Sequence, residues 1–561
     1  MRDGAPADRR LAAAALFLLA AGLAAAAVSL ADSGFFVPRY SFYTDVLNLY
    51  WIPRLRDAAF SDPFLALMRR NLSAFSSEWP LIWLTGLFAG TRPFTLGLKA
   101  LGVLLCGVSA LLAAAIASRK FGRGAAAAAA VVFTVEFLSM DTFQGVNRAY
   151  GLVLILAAAA GAENRRYWLF PAAAAAAALL YPSIGVTLFL SGLFLPLFFR
   201  EDFSGRRAAG YYALLALSLG AAWLAKEHSV FLKGITGALS SGNYQNSKLT
   251  QFVSAPVNPA SPKDILFHFI LNLNEHGRAY AAATGLLAAV AAWGLAVKRA
   301  APLRLVPRTV VLLFSGAAAA FVPLYLIHPV SASRQLIFTL PLLLVFLASA
   351  SLKSLFPAGF SFRNAALPGA LVSLSLSLFL PQVTDFTPYR PGYSRLAEAP
   401  AGSVVASDPA GDFAAGLEVF SPARPYLSDQ LDDLYIFTYG RQAFEERRAG
   451  LLKALYASSP CPMLELAADR GIDYAAVQED RYSEDFFARV RRSSFPEDVP
   501  VREALAAEKD PRGFLRFARA HPAFSWKNGS GKFLLVDLKT PAALKAGTAC
   551  RRAKPAAGGG R

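Results

Sequence analysis

Residues 167–200 read YWLFPAAAAAAALLYPSIGVTLFLSGLFLPLFFR. Two apolar runs, 167–181 and 183–199, flank the turn Tyr181-Pro182-Ser183, and the sole charge is Arg200 at the end. Each run approaches the roughly 20 apolar residues that cross a bilayer. Cations bracket the pair: Arg165 and Arg166 stand before it, and Arg200, Arg206 and Arg207 follow it, while the turn between has none. Basic residues are retained in cytoplasmic loops, so this pattern predicts two crossings whose open end faces the cytoplasm.

The same alternation extends in both directions. Further apolar runs at 11–31, 95–117, 124–140, 150–162, 208–225, 279–297, 309–327, 335–352 and 365–381 bring the expectation to about eleven spans. The turns with Arg9/Arg10, Arg119/Lys120/Arg123, Lys298/Arg299/Arg304/Arg308 and Lys353/Arg363 then share a side with Arg165. The opposite short turns are poor in cations, with Arg148 in 141–149 and Arg334 in 328–334. An odd number of spans places the amino terminus inside and the carboxy-terminal region outside. No small-residue cleavage site follows the first run, which reads as an uncleaved anchor. The expected fold is an α-helical polytopic membrane protein, residues 1–381, with exported loops at 32–94 and 226–278. A small exported α/β domain follows at 382–561, ending in an unstructured AAGGGR tail.

Composition agrees with a membrane protein. Apolar residues make up 55% and charged residues only 17%, with a mean hydropathy of +0.40; a soluble chain carries about 25% charged residues. The net charge of +18 comes largely from turns between apolar runs in the first two thirds. That is the distribution of cytoplasmic loops, and it argues against nucleic acid as a partner.

In the first loop, DVLNLYWIPRLRDAAF (45–60) and PFLALMRRNL (63–72) place apolar residues at helical spacing beside arginines. Such stretches lie in the interface plane. The second loop is turn-rich around SSGNYQNSK. In the last domain SVVASD (403–408), YAAVQE (474–479) and KFLLVDL (532–538) read as strands, and LLKALYA and CPMLELAADRG as helices. Helix-then-strand order predicts a largely parallel sheet. Cys106 lies in a span. Cys461 and Cys550 both lie in the exported domain, where either a disulfide or two free thiols is consistent with the sequence. There is no GxGxxG, P-loop, zinc spacing, HxxxH or HExxH, so no ligand cluster demands a metal.

Two hairpins are short for full crossings. Residues 124–162 must go out and back with the polar turn DTFQGVNRAY between, and 167–199 turn at Tyr181-Pro182-Ser183. Turns sunk beneath the outer surface require protein or a water-filled cavity around them; tilted spans in a thinned bilayer are the alternative. Asp45, shortly after the first span, is a candidate general base, since a desolvated carboxylate can take a hydroxyl proton. Asp57 is a backup, and Asp62 reads better as an N-cap before Pro63. The sunken turn offers Asp141, Gln144, Asn147 and Arg148. His328 and Arg334 stand at the outward start of the 335–352 span. A guanidinium fork suits phosphate oxygens, although Arg334 equally suits snorkelling to headgroups and His328 suits capping or packing.

These features together resemble the GT-C superfamily of integral-membrane glycosyltransferases that use polyprenyl-phosphate sugars, of the protein mannosyltransferase and aminoarabinose transferase type. The shared features are an inside amino terminus and a first exported loop with an early aspartate in YTDV and paired interfacial helices. An arginine opening a late span and an exported carboxy-terminal α/β domain complete them. One aspartate stands where relatives often carry an acidic pair, and Arg334-Gln335 stands where many carry Arg-Tyr. The resemblance implies transfer of a sugar from a polyprenyl-phosphate carrier to an envelope glycan, lipid or protein acceptor at the outer face of the cell membrane. Asp45 would be the base of an inverting displacement, with Arg334 and Arg148 on the lipid phosphate. The superfamily also admits a divalent metal. Two other classes fit the polytopic architecture: a transporter or flippase, and a non-catalytic envelope-assembly protein. The former should show an inverted repeat and broken helices, neither of which is clear here.

Overall fold

The computed structural model describes residues 15–25, 41–42, 94–122, 129–130, 133–134, 147–180, 182–228, 273–327, 329–355, 384–428, 441–492, 499–506, 508–528 and 531–553. The chain divides into two compact units: 1–38, 76–229 and 253–383 form one, and 39–75, 230–252 and 384–561 form the other.

The first unit is helical throughout its described residues. Its helices are α1 (Ala15–Ala25), α2 (Phe94–Phe121), α3 (Asn147–Glu163), α4 (Leu169–Leu180), α5 (Pro182–Phe198), α6 (Gly205–His228), α7 (Leu273–Lys298), α8 (Ala301–Leu305), α9 (Arg308–Ile327) and α10 (Pro329–Leu355). Among the described residues two stretches are long and apolar enough to cross a bilayer unaided, Ala100–Phe121 and Phe338–Leu355. Shorter apolar stretches occupy α1, α3, α4, α5, α7 and α9. The expected span 365–381 and most of 124–140 lie outside the described residues.

The helices pack in sequence, α2 on α3, α3 on α4 and α4 on α5, with α9 laid against α5 and α10. Small residues make these contacts close. A Cβ on Gly316 of α9 would meet the Ser191 amide nitrogen of α5 at 2.6 Å. Glycine here lets two backbones approach, the device by which helices associate where no hydrophobic drive separates them from lipid. Hydroxyl residues such as Thr187, Ser191, Thr309, Thr339 and Ser351 are buried inside this unit. Its outward face carries Leu193, Leu197, Leu214, Leu217, Leu219, Leu224, Leu286 and Trp293. An exterior of leucine around an interior that accepts hydroxyls suits an apolar solvent.

The second unit is an α/β fold. A two-stranded antiparallel pair joins β1 (Ser41–Phe42) to β2 (Thr384–Asp385). After α11 (Arg390–Leu396), a five-stranded sheet is built from β3 (Val404–Ala406), β4 (Arg424–Pro425), β5 (Tyr474–Gln478), β6 (Phe524–Asn528) and β7 (Gly531–Asp537), in the order β4-β3-β5-β7-β6. The remaining helices are α12 (Asp412–Phe420), α13 (Arg441–Leu455), α14 (Cys461–Arg470), α15 (Glu484–Arg492), α16 (Val499–Ala506), α17 (Gly513–Ala520) and α18 (Pro541–Ala553).

All three strands expected from the sequence are present as β3, β5 and β7. The expectation of a largely parallel sheet is corrected: β3 pairs in parallel with β4 and β5, while β7 pairs antiparallel with β5 and β6. For β6 and β7 the cause is local: Asn528 pairs with Gly531, and a connection of two residues permits only an antiparallel hairpin; the direction of β7 against β5 is set by a long-range pairing. The α14-to-β5 step follows the sequence closely. Gly471 takes φ 65°, the left-handed geometry that ends a helix, and Ile472 N–H returns to Ala467 O at 3.0 Å. One face of the sheet is filled by Tyr393, Phe413, Trp526 and Phe533, with Tyr393 stacked on Phe413 at 5.1 Å.

The two thiols of this unit are joined. Cys461, at the start of α14, forms a disulfide with Cys550 in α18, across a sequence separation of 89 residues. Cys106 is free and buried in the helical unit.

Candidate functional site

The helical unit has two chemically distinct ends. At one end Arg119, in the last turn of α2, donates to Glu163 O and Asn164 Oδ1. Glu163 closes α3, and its Oε1 accepts from Thr309 Oγ1 at 2.8 Å, at the start of α9. Arg308 pairs with Glu201, just beyond α5. Tyr167 O–H donates to Asp202 at 2.6 Å, and Arg165 lies 3.5 Å from the same carboxylate. The carboxyl ends of α2, α3 and α5 and the amino end of α9 are therefore tied into one polar belt. Of the basic turns that the sequence assigned to one side, those with Arg119, Arg165 and Arg308 meet in this belt; Arg9, Arg10, Arg123 and Arg363 lie outside the described residues.

The other end follows from helix direction. Helix α3 runs away from the belt toward its own start, where Asn147 and Arg148 occupy the first turn. Helix α9 leaves the belt, ends at Ile327, and α10 restarts at Pro329 packed along it. Arg334, in the second turn of α10, thus lies toward the end far from the belt. The backbone positions of Asn147, Arg148 and Arg334 share that end. Asp45, Asp57, Asp141, Gln144 and His328 lie outside the described residues. Among the described residues no group of three or more His, Cys, Asp or Glu could hold a metal ion.

A second polar region, at the carboxyl edge of the five-stranded sheet, was missed by the sequence reading. Here β3 runs into Ser407 and Asp408, and β5 runs into Glu479, Asp480 and Arg481. Arg481 reaches Asp408 at 3.6 Å. Burial opposes the Arg481 charge, but the Asp408, Tyr456 and Asp480 side chains outweigh it and hold the guanidinium protonated. Asp412, opening α12, has its pKa raised by burial, with Arg481 opposing the shift. The available signal was SVVASD and YAAVQED, two strands each ending on acids. Their convergence depends on β3 and β5 pairing side by side, which no local pattern states.

No family model matches this sequence, and no curated protein matches it. Among solved structures the chain is similar to the Archaeoglobus fulgidus oligosaccharyltransferase in its complex with Zn and sulfate, at 11% identity and a TM-score of 0.48, over 93% of this chain and 73% of that one. The archaeal oligosaccharyltransferase AglB from the same organism, with an inhibitory peptide and a dolichol-phosphate, gives 11% identity and a TM-score of 0.48 over 95% and 75%. A third structure, tethered to an acceptor peptide with the NVT sequon, gives 12% and 0.45 over 94% and 74%.

Proposed function

We propose that this chain is an integral-membrane glycosyltransferase that takes a sugar from a polyprenyl-phosphate carrier and passes it to an envelope acceptor at the outer membrane face. The observation that carries the reading is the polarity of the helical unit. The turns with Arg119, Arg165 and Arg308 meet in one belt, and the two arginines nominated for phosphate binding lie in the first two turns of helices at the opposite end. With the belt at the cytoplasmic surface, as retained basic turns require, Arg148 and Arg334 open outward. About eleven spans remain the expected total for the membrane domain. Helix α4 has 12 residues, about 18 Å of rise against a hydrocarbon core of about 30 Å. The start of α5 is then sunk below the outer surface, which supports a polar cavity there.

In the proposed reaction the acceptor hydroxyl oxygen attacks the anomeric carbon as the bond to the carrier phosphate oxygen breaks. The proton goes to the Asp45 carboxylate and the electron pair leaves with the lipid phosphate. Arg334 and Arg148 stabilise the charge on that phosphate, an electrostatic role, and a single displacement inverts the anomeric configuration. Asp57, Asp141, Gln144, Asn147 and His328 would line the same outward cavity.

The test is transfer from purified lipid-linked donor. Asp45→Asn keeps the size and removes the base, so a loss of about a hundredfold or more is expected with yield unchanged. Arg334→Lys keeps the charge but loses the planar fork and should weaken donor binding, with Arg334→Ala weaker still. Full activity in Asp45→Asn would move the base to Asp57 or Asp141. A reporter active only outside the cytoplasm, fused after Lys554, should be active; an inactive fusion overturns the orientation and the reaction with it.

A further inference from the structure

Strand β3 is followed in the chain by β4 on one side, while β5 lies against its other side. The winding of the sheet reverses between β3 and β5. In open α/β sheets the crevice outside the strand carboxyl ends at such a reversal is where ligands settle. Here that edge is hollow on both flanks of the 479–482 turn. An inner cavity of about 20 Å³ is lined by Ser407, Asp408, Arg481 and Tyr482, room for one water or one hydroxyl. An outer groove of about 480 Å³ is lined by Glu479, Asp480, Arg512, Arg519 and Lys532, and shares Tyr482. Its volume falls within the range of about 300–1,000 Å³ typical of small-ligand sites.

Two buried polar atoms at this edge lack a hydrogen-bond partner. Ser407 is 4% exposed and lines the inner cavity, and its Oγ is unpartnered. Asp480 Oδ2 accepts from Gln478 at 2.9 Å, but its Oδ1 accepts from nothing. An unsatisfied buried acceptor carries a desolvation cost that a ligand donor would relieve. The surrounding cations are already committed. Arg519 reaches both oxygens of Glu479, at 3.1 and 3.2 Å, Lys532 approaches the same carboxylate at 3.8 Å, and Arg512 pairs with Glu484 at 2.5 Å. Little surplus charge is left to select an ion. What remains is an alternation of acceptors and donors fixed in place. That array complements groups that donate and accept at once, which are hydroxyls.

We propose that this edge is a carbohydrate-binding site, with sugar rings in the outer groove and donation from a sugar hydroxyl to Asp480 Oδ1. The proposal deepens the transferase reading, on which it rests for biological context, by naming a glycan as the acceptor class.

The test uses the full chain in a detergent without sugar headgroups. The probes are the methyl glycosides of glucose, mannose and N-acetylglucosamine, with sodium sulfate as the ionic control, and binding is read by saturation-transfer NMR. At least one glycoside should bind. Asp480→Asn and Arg519→Gln should each weaken it about tenfold or more, the size of losing a hydrogen bond to a charged group. Should either variant misfold, Lys532→Gln at the hairpin, whose side chain is 42% exposed, serves as the third probe of the groove. The proposal is overturned if no glycoside binds, if binding survives substitution in the folded variants, or if sulfate alone binds. Failure here with transfer intact in the native protein removes the glycan groove and leaves the transferase standing. Glycoside binding with no transfer from any donor does the reverse.

Discussion

The two units of this chain solve opposite solvent problems with the same residue types. Among the described residues, every large exposed apolar side chain except Leu544 belongs to the helical unit, and that unit buries hydroxyls such as Ser109, Thr187, Ser191, Thr309 and Ser351. The α/β unit buries Tyr393, Tyr426, Tyr456 and its phenylalanines and holds charged pairs such as Arg519–Glu479 on its surface. The contrast teaches that burial alone does not mark a core. What counts is which surface each environment leaves outside, and leucine outside with hydroxyls inside is the arrangement for lipid.

The largest expected effect is on the α/β unit. Removing the Cys461–Cys550 bridge with Cys461→Ala and Cys550→Ala frees an 89-residue loop and should destabilise that unit by about 4–5 kcal/mol on the loop-closure relation. Protease digestion should then cut residues 384–553 while the helical unit persists, and equal loss of both units would refute their independence.

Next in size is Leu217→Asp on α6, where Leu217 is 69% exposed. A carboxylate facing lipid costs about 2.5–3.5 kcal/mol near a span centre, so membrane yield should fall. The same change at Leu544, 59% exposed, should be silent. Equal tolerance at both sites would place α6 against water.

Gly316→Ala comes third. Its Cβ would press on Ser191 backbone, and overpacking of this kind costs about 1–3 kcal/mol, readable as a lower Tm in detergent. A smaller residue at the partner position, Ser191→Gly, should restore part of it.

The smallest effect is Asp412→Asn. Burial raises the Asp412 pKa above 3.8, so the folded state favours the protonated acid. Its contribution is most favourable below the unfolded pKa and is lost as pH rises through the folded value. Asp412→Asn should therefore raise Tm slightly at neutral pH and give no gain in acid. A gain that persists below pH of about 4 would show the effect is not titration.

The apolar runs and basic turns of the helical unit were legible because helix formation is a local rule. A helix satisfies its own backbone, so an apolar run declares a helix without reference to any other part of the chain. The clustering of Arg119, Arg165 and Arg308 near one end was legible for the same reason, since an even number of antiparallel helices returns the chain to its starting end. Strands β3, β5 and β7 were readable from short apolar runs bounded by charged or polar residues.

Pairing was not. The antiparallel half of the sheet turns on Asn528 meeting Gly531 and on Tyr474 meeting Asp537 across the chain, and the disulfide on two cysteines 89 residues apart arriving at bonding distance. The hollow edge depends on Ser407 and Asp480 standing at neighbouring strand ends although 73 positions separate them. Composition and periodicity determined that this chain has an apolar helical part and a more polar α/β part. Only the tertiary structure decided which polar atoms converge, because hydrogen bonds and cavities are fixed by through-space distances that sequence spacing does not encode.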